Sequence, residues 1–222
     1  MTRSRNVFVQ PVIAEYCDSM LADPDIIQLE IEKVTAERTG VLSRMQIGFD
    51  QSLLMEMLAR FSGATRAIEI GTFTGTSALA IARGMGPKGK LICCDVNVEW
   101  TAVAKDAWEK AGVADRIDLR IGPAAETLAA LTDEPQFDMA FLDADKTGYL
   151  GYYRQLVGKM KPGGLIIADN TLQDGRVCDV SANDPDTLAI REFNLAAASD
   201  PRVRSVLLPL ADGITIAQVL ET

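Results

Sequence analysis

Hydrophobic positions along this chain recur with two different periods. Residues 50 to 62, DQSLLMEMLARFS, put Leu53, Leu54, Met57, Leu58 and Phe61 at helical spacing, with Gly63 as a stop. Two earlier helices are expected over about 11 to 22 and 24 to 38, the second opening at Asp23-Pro24, and a turn closes at Gly40. Beyond residue 63 the pattern changes to short apolar runs alternating with helical stretches, the mark of a parallel sheet with crossover helices. The expected strands are 67 to 70, 90 to 95, 117 to 121, 137 to 143 and 164 to 169, with helices at about 75 to 84, 97 to 111, 123 to 131 and 146 to 160. A further helix is expected over about 184 to 199. The chain then offers VRSVLLPL and GITIAQVL, joined by Ala211-Asp212-Gly213, which predict an antiparallel hairpin appended to the sheet edge. The fold class is therefore α/β, a mostly parallel seven-stranded sheet preceded by N-terminal helices. At 222 residues the default is one domain, with residues 1–62 as a helical cap and 63–222 as the core.

Composition narrows the classes of partner. A net charge of −9 repels nucleic acid and anionic membranes, so neither is expected as a partner. No run approaches the roughly 18 apolar residues of a membrane span, and the opening MTRSRNVFVQPVIAEY has no apolar run or small-residue cleavage site of a signal peptide. Cys17, Cys93, Cys94 and Cys178 form no C-x-x-C pair and read as reduced, buried thiols of a cytoplasmic protein. Histidine is absent, which removes the commonest general base and the commonest zinc ligand together.

The first strand runs straight into GTFTGTSALAIA, so Glu69, Gly71 and Gly75 fall where strand becomes helix. The glycines allow a tight turn and a close approach to a ligand. The spacing is G-x-x-x-G rather than the dinucleotide G-x-G-x-x-G, which favours a ligand carrying an amino acid and a ribose over a pyrophosphate. Asp95 ends the second strand, where a carboxylate can accept both ribose hydroxyls. A lone Asp there is commonly a helix cap, but its pairing with the glycine turn favours the ligand reading. Gly122-Pro123-Ala124-Ala125 follows the third strand with room for a flat ring.

These segments, together with CDVN, AGVADRIDLRIGPA, FDMAFLDADK, Met160-Lys161-Pro162-Gly163-Gly164, ADN at 168 to 170, DGRV at 174 to 177 and LPLADGITIA, resemble the caffeoyl-coenzyme A / catechol O-methyltransferase family. The resemblance runs from about residue 40 to the end. It implies a Rossmann-like class I methyltransferase sandwich that uses S-adenosylmethionine (SAM) to methylate a small aromatic hydroxyl. It also implies contacts to SAM from Met45, Glu69, Gly71, Ser77, Asp95, Ala124, Asp143 and Asp145. Glu69 and Gly71 would lie near the methionine part, Ser77 at its carboxylate, Asp95 at the ribose, Ala124 at the adenine and Asp145 at the amino group. A homodimer is the family's usual state.

Two acidic clusters end the fourth and fifth strands, Asp143-Ala144-Asp145-Lys146 and Asp169-Asn170. Neighbouring parallel strands lie about 4.8 Å apart, so Asp143, Asp169 and Asn170 can converge as three oxygen ligands of a hard cation. Magnesium is the first expectation, with manganese or calcium as alternatives, and the resemblance assigns the same three residues. Lys146 matches the family's catalytic lysine, the expected base, its ammonium form disfavoured by an adjacent cation. The segment TLQDGRVCDVSAND departs from the family, many members of which have Trp at the position of Gln173. That position, the loop of 171 to 186 and the segment Ser43 to Asp50 are expected to wall the acceptor pocket. Tyr149, Tyr152 and Tyr153 offer an aromatic side, with core packing expected for at least two of them. Trp108 reads as packing and Trp100 as packing or an adenine contact. An acidic chain with no basic cluster in these loops suits a free catechol better than a coenzyme A ester. Three alternatives stand beside this reading: a metal-independent SAM methyltransferase, a non-catalytic SAM-binding protein, and a nicotinamide dehydrogenase, against which the missing third glycine counts.

Overall fold

Alternation of side chains along five short strands decides the architecture. In the computed structural model, which describes residues 6–221, these are β1 (Arg66–Ile70), β2 (Lys90–Asp95), β3 (Ile117–Ile121), β4 (Phe137–Leu142) and β5 (Met160–Ala168), all parallel. The first five residues of the opening segment lie outside the described residues, as does Thr222. β6 (Val203–Leu208) and β7 (Ile214–Val219) form the expected hairpin, and β7 pairs antiparallel with β5, giving the order β3-β2-β1-β4-β5-β7-β6. No helix among the described residues is long and apolar enough to cross a membrane.

Successive residues of a strand face opposite sides of the sheet. Ala67, Leu91, Cys93, Met139, Phe141 and Ile167 therefore share one core with α3 (Phe49–Phe61), α4 (Thr76–Gly84) and α5 (Val98–Lys110). Ile68, Ile70, Cys94, Ala140, Leu142 and Ala168 share the other with α6 (Ala124–Ala130), α7 (Tyr149–Val157) and α8 (Pro185–Ser199). α1 (Pro11–Ser19) buries no residue, whereas α2 (Ile26–Thr39) packs on α5 and contributes Ile31 to the first core.

Several element boundaries differ from the sequence expectation, each for a local reason. α2 starts at Ile26 because Asp25, not Asp23, is its cap: the Asp25 carboxylate accepts the Ile27 and Gln28 amides at 2.9 and 3.0 Å, and Gln28 Oε1 accepts the Asp25 amide. Pro24 thus precedes the helix, and α1 stops at Ser19 rather than 22. β5 pairs from Met160, with a register shift that lets Pro162, which has no N–H to offer, stand out of the ladder. α7 is shorter than expected, preceded by a 3-10 turn at Lys146–Gly148 and ending at Val157.

The buried face of α3 matches the expected spacing only in part: Leu54 and Leu58 pack against the core, but its fully buried residues are others. Gln51, Ser52, Met55 and Ala59 are buried, while Met57 and Phe61 are 47% and 76% exposed. Close helix packing explains this, since a Cβ on Gly84 of α4 would lie 2.8 Å from the Ala59 Cβ, so small residues mark the contact. Cys93 and Cys94 are buried as expected, but Cys17 and Cys178 are exposed.

The N-terminal helices are tied to the sheet by buried polar links. Thr35 Oγ1 donates to Thr74 Oγ1 at 2.8 Å and Gln46 Nε2 to Thr76 Oγ1 at 2.6 Å, both in the segment that follows β1. Asn6 donates to Asp50 at 3.2 Å and accepts from the Ala211 amide at 2.9 Å, joining α3 to the β6–β7 loop.

Candidate active site

The chain runs outward from β1 in both directions, to β2 and β3 on one side and to β4 and β5 on the other. Such a switch in strand order opens a crevice beyond the carboxyl ends of the strands. Here it is a cavity of about 1080 Å³, and it reaches from the turn after β1 to the ends of β4 and β5.

The end expected to take the cofactor begins at Gly71, whose φ of 88° belongs to the left-handed region, and a Cβ there would lie 2.6 Å from the Asp143 carbonyl carbon. The turn is braced by Asp95, which accepts the amides of Thr72 (2.9 Å) and Phe73 (2.8 Å) on one oxygen and that of Asn97 (2.8 Å) on the other. The oxygen that accepts Asn97 keeps a lone pair for a ligand hydroxyl, while the other is already filled by two amides. Gly75 then caps α4 with a φ of 88°, its carbonyl accepting Trp108 Nε1–H at 3.1 Å. Trp108 is buried packing, as expected, whereas Trp100 lines the cavity and meets Phe73 edge-on with centroids 5.0 Å apart.

Of the residues expected around SAM, Met45, Gly71, Ser77, Asp95, Ala124, Asp143 and Asp145 all line this cavity. Glu69 does not. It lies behind the wall, 0% exposed, and neither carboxylate oxygen has a hydrogen-bond partner in range among the described residues. Burial raises its carboxyl to about 7, against the Ser77 and Thr72 hydroxyls and the Cys93 thiol, which favour the charged form. Tyr152 reaches the cavity and donates to Asp145 at 2.7 Å. Tyr149 and Tyr153 are buried against Phe193, so two of the three tyrosines are core, as expected.

At the other end Asp143, Lys146, Asp169 and Asn170 share one wall. Lys146 Nζ donates to Asp143 Oδ1 at 3.1 Å and to the Tyr149 hydroxyl at 2.8 Å. That hydroxyl is also within reach of the Asp169 and Leu142 carbonyls, at 3.1 and 3.3 Å, so Tyr149 ties the ends of β4 and β5 together beneath the lysine. Burial would lower the Lys146 ammonium, but Tyr149, Asp143 and Asp169 outweigh it and push it up. The lowered value expected of this lysine belongs to a site with a divalent cation beside it; with protein groups alone, the lysine is itself the cation between the carboxylates. Asp169, 3% exposed, is raised to about 7 by burial first and by the Asp143 charge second.

No group of three His, Cys, Asp or Glu among the described residues could hold a metal ion. The expected set has only two carboxylates, with an amide as its third member. Its donors are hard oxygens, and burial and the Asp143 charge oppose the ionised form of Asp169, a chemistry that fits a hard divalent cation.

Sequence reasoning passed over Gln51 and the bridging role of Tyr149. The signal for Gln51 was available: it is in phase with Met55 and Ala59, a polar residue on a buried stripe. Gln173 does line the mouth, its Nε2 donating to the Asn170 carbonyl at 2.9 Å, alongside Arg44, Asp174, Asp186 and Asp212.

The profile of the O-methyltransferase family matches residues 18–220. The chain belongs to that family. The match begins well before residue 40 and takes in most of the N-terminal helices. Among relatives of this O-methyltransferase, tricin synthase 1 of Oryza sativa subsp. japonica is 41% identical over 189 residues, covering 79% of this chain and 75% of the relative. Caffeoyl-CoA O-methyltransferase of Eucalyptus gunnii is 37% identical over 202 residues, covering 86% and 80%. The O-methyltransferase of Bacillus cereus, solved in complex with SAH, superposes with a TM-score of 0.85 at 30% identity, covering 94% of this chain and 97% of that one. The chain is accordingly a SAM-dependent O-methyltransferase with the Rossmann-like fold of those structures.

Proposed function

We propose that this O-methyltransferase methylates one hydroxyl of a small aromatic bearing two adjacent oxygens, with Lys146 as the base and with Asp143, Asp169 and Asn170 holding a divalent cation, magnesium first. The observation that carries the reading is the shared cavity, which has the glycine turn and Asp95 at one end and the carboxylate–lysine cluster at the other. A divalent cation bound there would acidify the hydroxyl and orient both oxygens. The reacting oxygen forms its bond to the methyl carbon as the sulfur–carbon bond of SAM breaks, the electron pair returning to sulfur and the hydroxyl proton passing to Lys146. Lys146 must first give up its ammonium proton, and its contact with Asp143 opposes that loss while the carboxylate is otherwise free. Tyr149 holds the lysine in place from below.

The acceptor end supports a free catechol over a coenzyme A ester, because Asp174, Asp186 and Asp212 would face the ester's phosphates. The named relatives include caffeoyl-CoA enzymes, so the two acceptors belong in one assay. We read the chain as one methyltransferase domain, 1–62 capping 63–222, in a cytoplasmic homodimer. The exposed Val12 and Tyr16 of α1, with Met20 just beyond it, suit a subunit contact.

The test is methyl transfer from labelled SAM to catechol, caffeate and caffeoyl-CoA, with magnesium, with excess chelator, and in Asp169→Ala. Transfer to the free catechols that is lost in chelator and in the variant is the expected result. Full activity in chelator would favour a metal-independent enzyme, and SAM binding without any transfer a non-catalytic one.

A further inference from the structure

Gln51 stands in the first turn of α3, in the wall of the cavity that also holds Lys146, Asp169 and Asn170. It is 1% exposed, and its Nε2 has no hydrogen-bond partner among the described residues. Buried amide donors are as a rule paired, and the neighbouring polar groups follow that rule: Gln46 donates to Thr76 at 2.6 Å and Thr35 to Thr74 at 2.8 Å. Gln51 approaches Asp169 as a donor and favours its charged form, yet no acceptor among the described residues meets Nε2 at full hydrogen-bond distance and angle. Gln51 shares its buried face with Met55 and Ala59, and it borders a cavity large enough for a ligand acceptor.

We propose that Gln51 is an acceptor-binding residue whose Nε2 donates a hydrogen bond to the acceptor oxygen adjacent to the hydroxyl that is methylated. This rests on the reading of the site given under Proposed function, and deepens it by naming a group that reads the second oxygen. An amide N–H requires only a lone pair, so it accepts a hydroxyl, a phenolate or a carbonyl at that position and gains nothing from a ring that carries hydrogen there. The N-terminal helical layer thereby supplies a specificity residue to the reaction centre as well as covering it.

The experiment compares wild type with Gln51→Met and Gln51→Leu. Catechol and phenol are titrated calorimetrically into full-length protein saturated with SAH and magnesium. Manganese binding by electron paramagnetic resonance, SAH affinity and melting temperature are measured in parallel. Loss of a hydrogen bond to an oxygen carrying partial negative charge weakens catechol about 10- to 100-fold. Phenol, SAH and manganese affinities are expected to stay within about twofold, the spread of context effects. Unchanged catechol affinity overturns the proposal. So does a matching fall in manganese affinity, which would make Gln51 a brace for Asp169. Wild-type protein that binds SAH but no catechol refutes the acceptor class itself, and is recognised because it fails before any substitution is made.

Discussion

Gly71→Ala tests whether the cofactor turn and the acid cluster are mechanically one object. At a φ of 88° the added methyl forces a non-glycine residue into the left-handed region, which costs about 1–2 kcal/mol. The Cβ would also meet backbone: the Asp143 carbonyl carbon at 2.6 Å and the Ala144 Cα at 3.0 Å. Backbone cannot rotate aside, and the amide of Asp143 is itself bonded to the Ile70 carbonyl at 2.8 Å, so β1 and β4 must part. Overpacking of that kind adds about 1–3 kcal/mol. The total, about 2–5 kcal/mol, lowers the melting temperature of a chain this size by roughly 10 °C. Gly86→Ala is the control, with a φ of 70° but nothing within 4 Å of its Cβ, so it carries only the conformational part. Differential scanning fluorimetry and SAH calorimetry on both variants separate strain from clash. Gly71→Ala is expected to melt several degrees below Gly86→Ala and to lose SAH affinity, while the control keeps it. Equal melting and equal SAH binding in the two variants would refute the coupling of the turn to Asp143.

Two further outcomes follow from the same geometry. The chain has two tryptophans, of which Trp108 is buried and Trp100 lines the cavity beside Phe73, so SAH should perturb the intrinsic emission of wild type and leave Trp100→Phe silent; a full response in that variant would remove Trp100 from the cofactor wall. Burial acts to raise the Asp138 carboxyl, but Lys161 and the Thr65 and Arg66 amides hold it down at about 2, below its ordinary 3.8. A depressed carboxyl stabilises the fold above its unfolded value and loses that effect as pH falls through its folded one. Wild type should therefore exceed Asp138→Asn by about 1–2 kcal/mol near pH 7, after allowance for solvent screening. The gap should close between pH 4 and 2 in urea titrations, and a gap independent of pH would assign the difference to lost hydrogen bonds alone.

The strands were legible because parallel-sheet strands are apolar runs bounded by turns, and β1 to β4 fall within a residue of their expected ends. What misled was the choice of face on α3. Helical spacing marks Leu53, Leu54, Met57, Leu58 and Phe61, of which Leu54 and Leu58 pack on the core, but close packing against Gly84 selects a small residue, so Ala59 is inside and Phe61 outside. Capping was misjudged at α2 because Asp23 and Asp25 flank one proline, and only the geometry shows that Gln28 completes a box with the second. Gly71, Asp95, Asp143, Asp169 and Asn170 face one cavity because they lie at or just past the carboxyl ends of strands, a position that pattern alone can assign. Ser77 and Ala124 join them from the first turns of the helices that follow. The charge state of Lys146 was not legible, since it depends on Asp143, Asp169 and Tyr149 meeting around one ammonium. Nor was the withdrawal of Glu69 from the cavity wall, although strand alternation predicts it: with Ile68 and Ile70 facing α6 and α7, Glu69 must turn toward α4.

The strand order gives these placements a common cause. β1 lies between β2 and β4, and the chain leaves it in both directions, so the loops after β1 and β4 diverge above the sheet and no helix fills the gap. The glycine turn occupies one lip and Asp143 the other, in contact through the missing Cβ of Gly71. On the proposed reading, a donor group against the turn and an acceptor against the β4 and β5 ends would share one cavity. Substrate preference is then left to side chains that other elements deliver to the rim: Gln51 from α3, Gln173 from the loop after β5, and Asp212 from the β6–β7 turn. On this view, exchanges at those three positions redirect the acceptor without disturbing SAM, whereas exchanges at Gly71 or Asp95 disturb both.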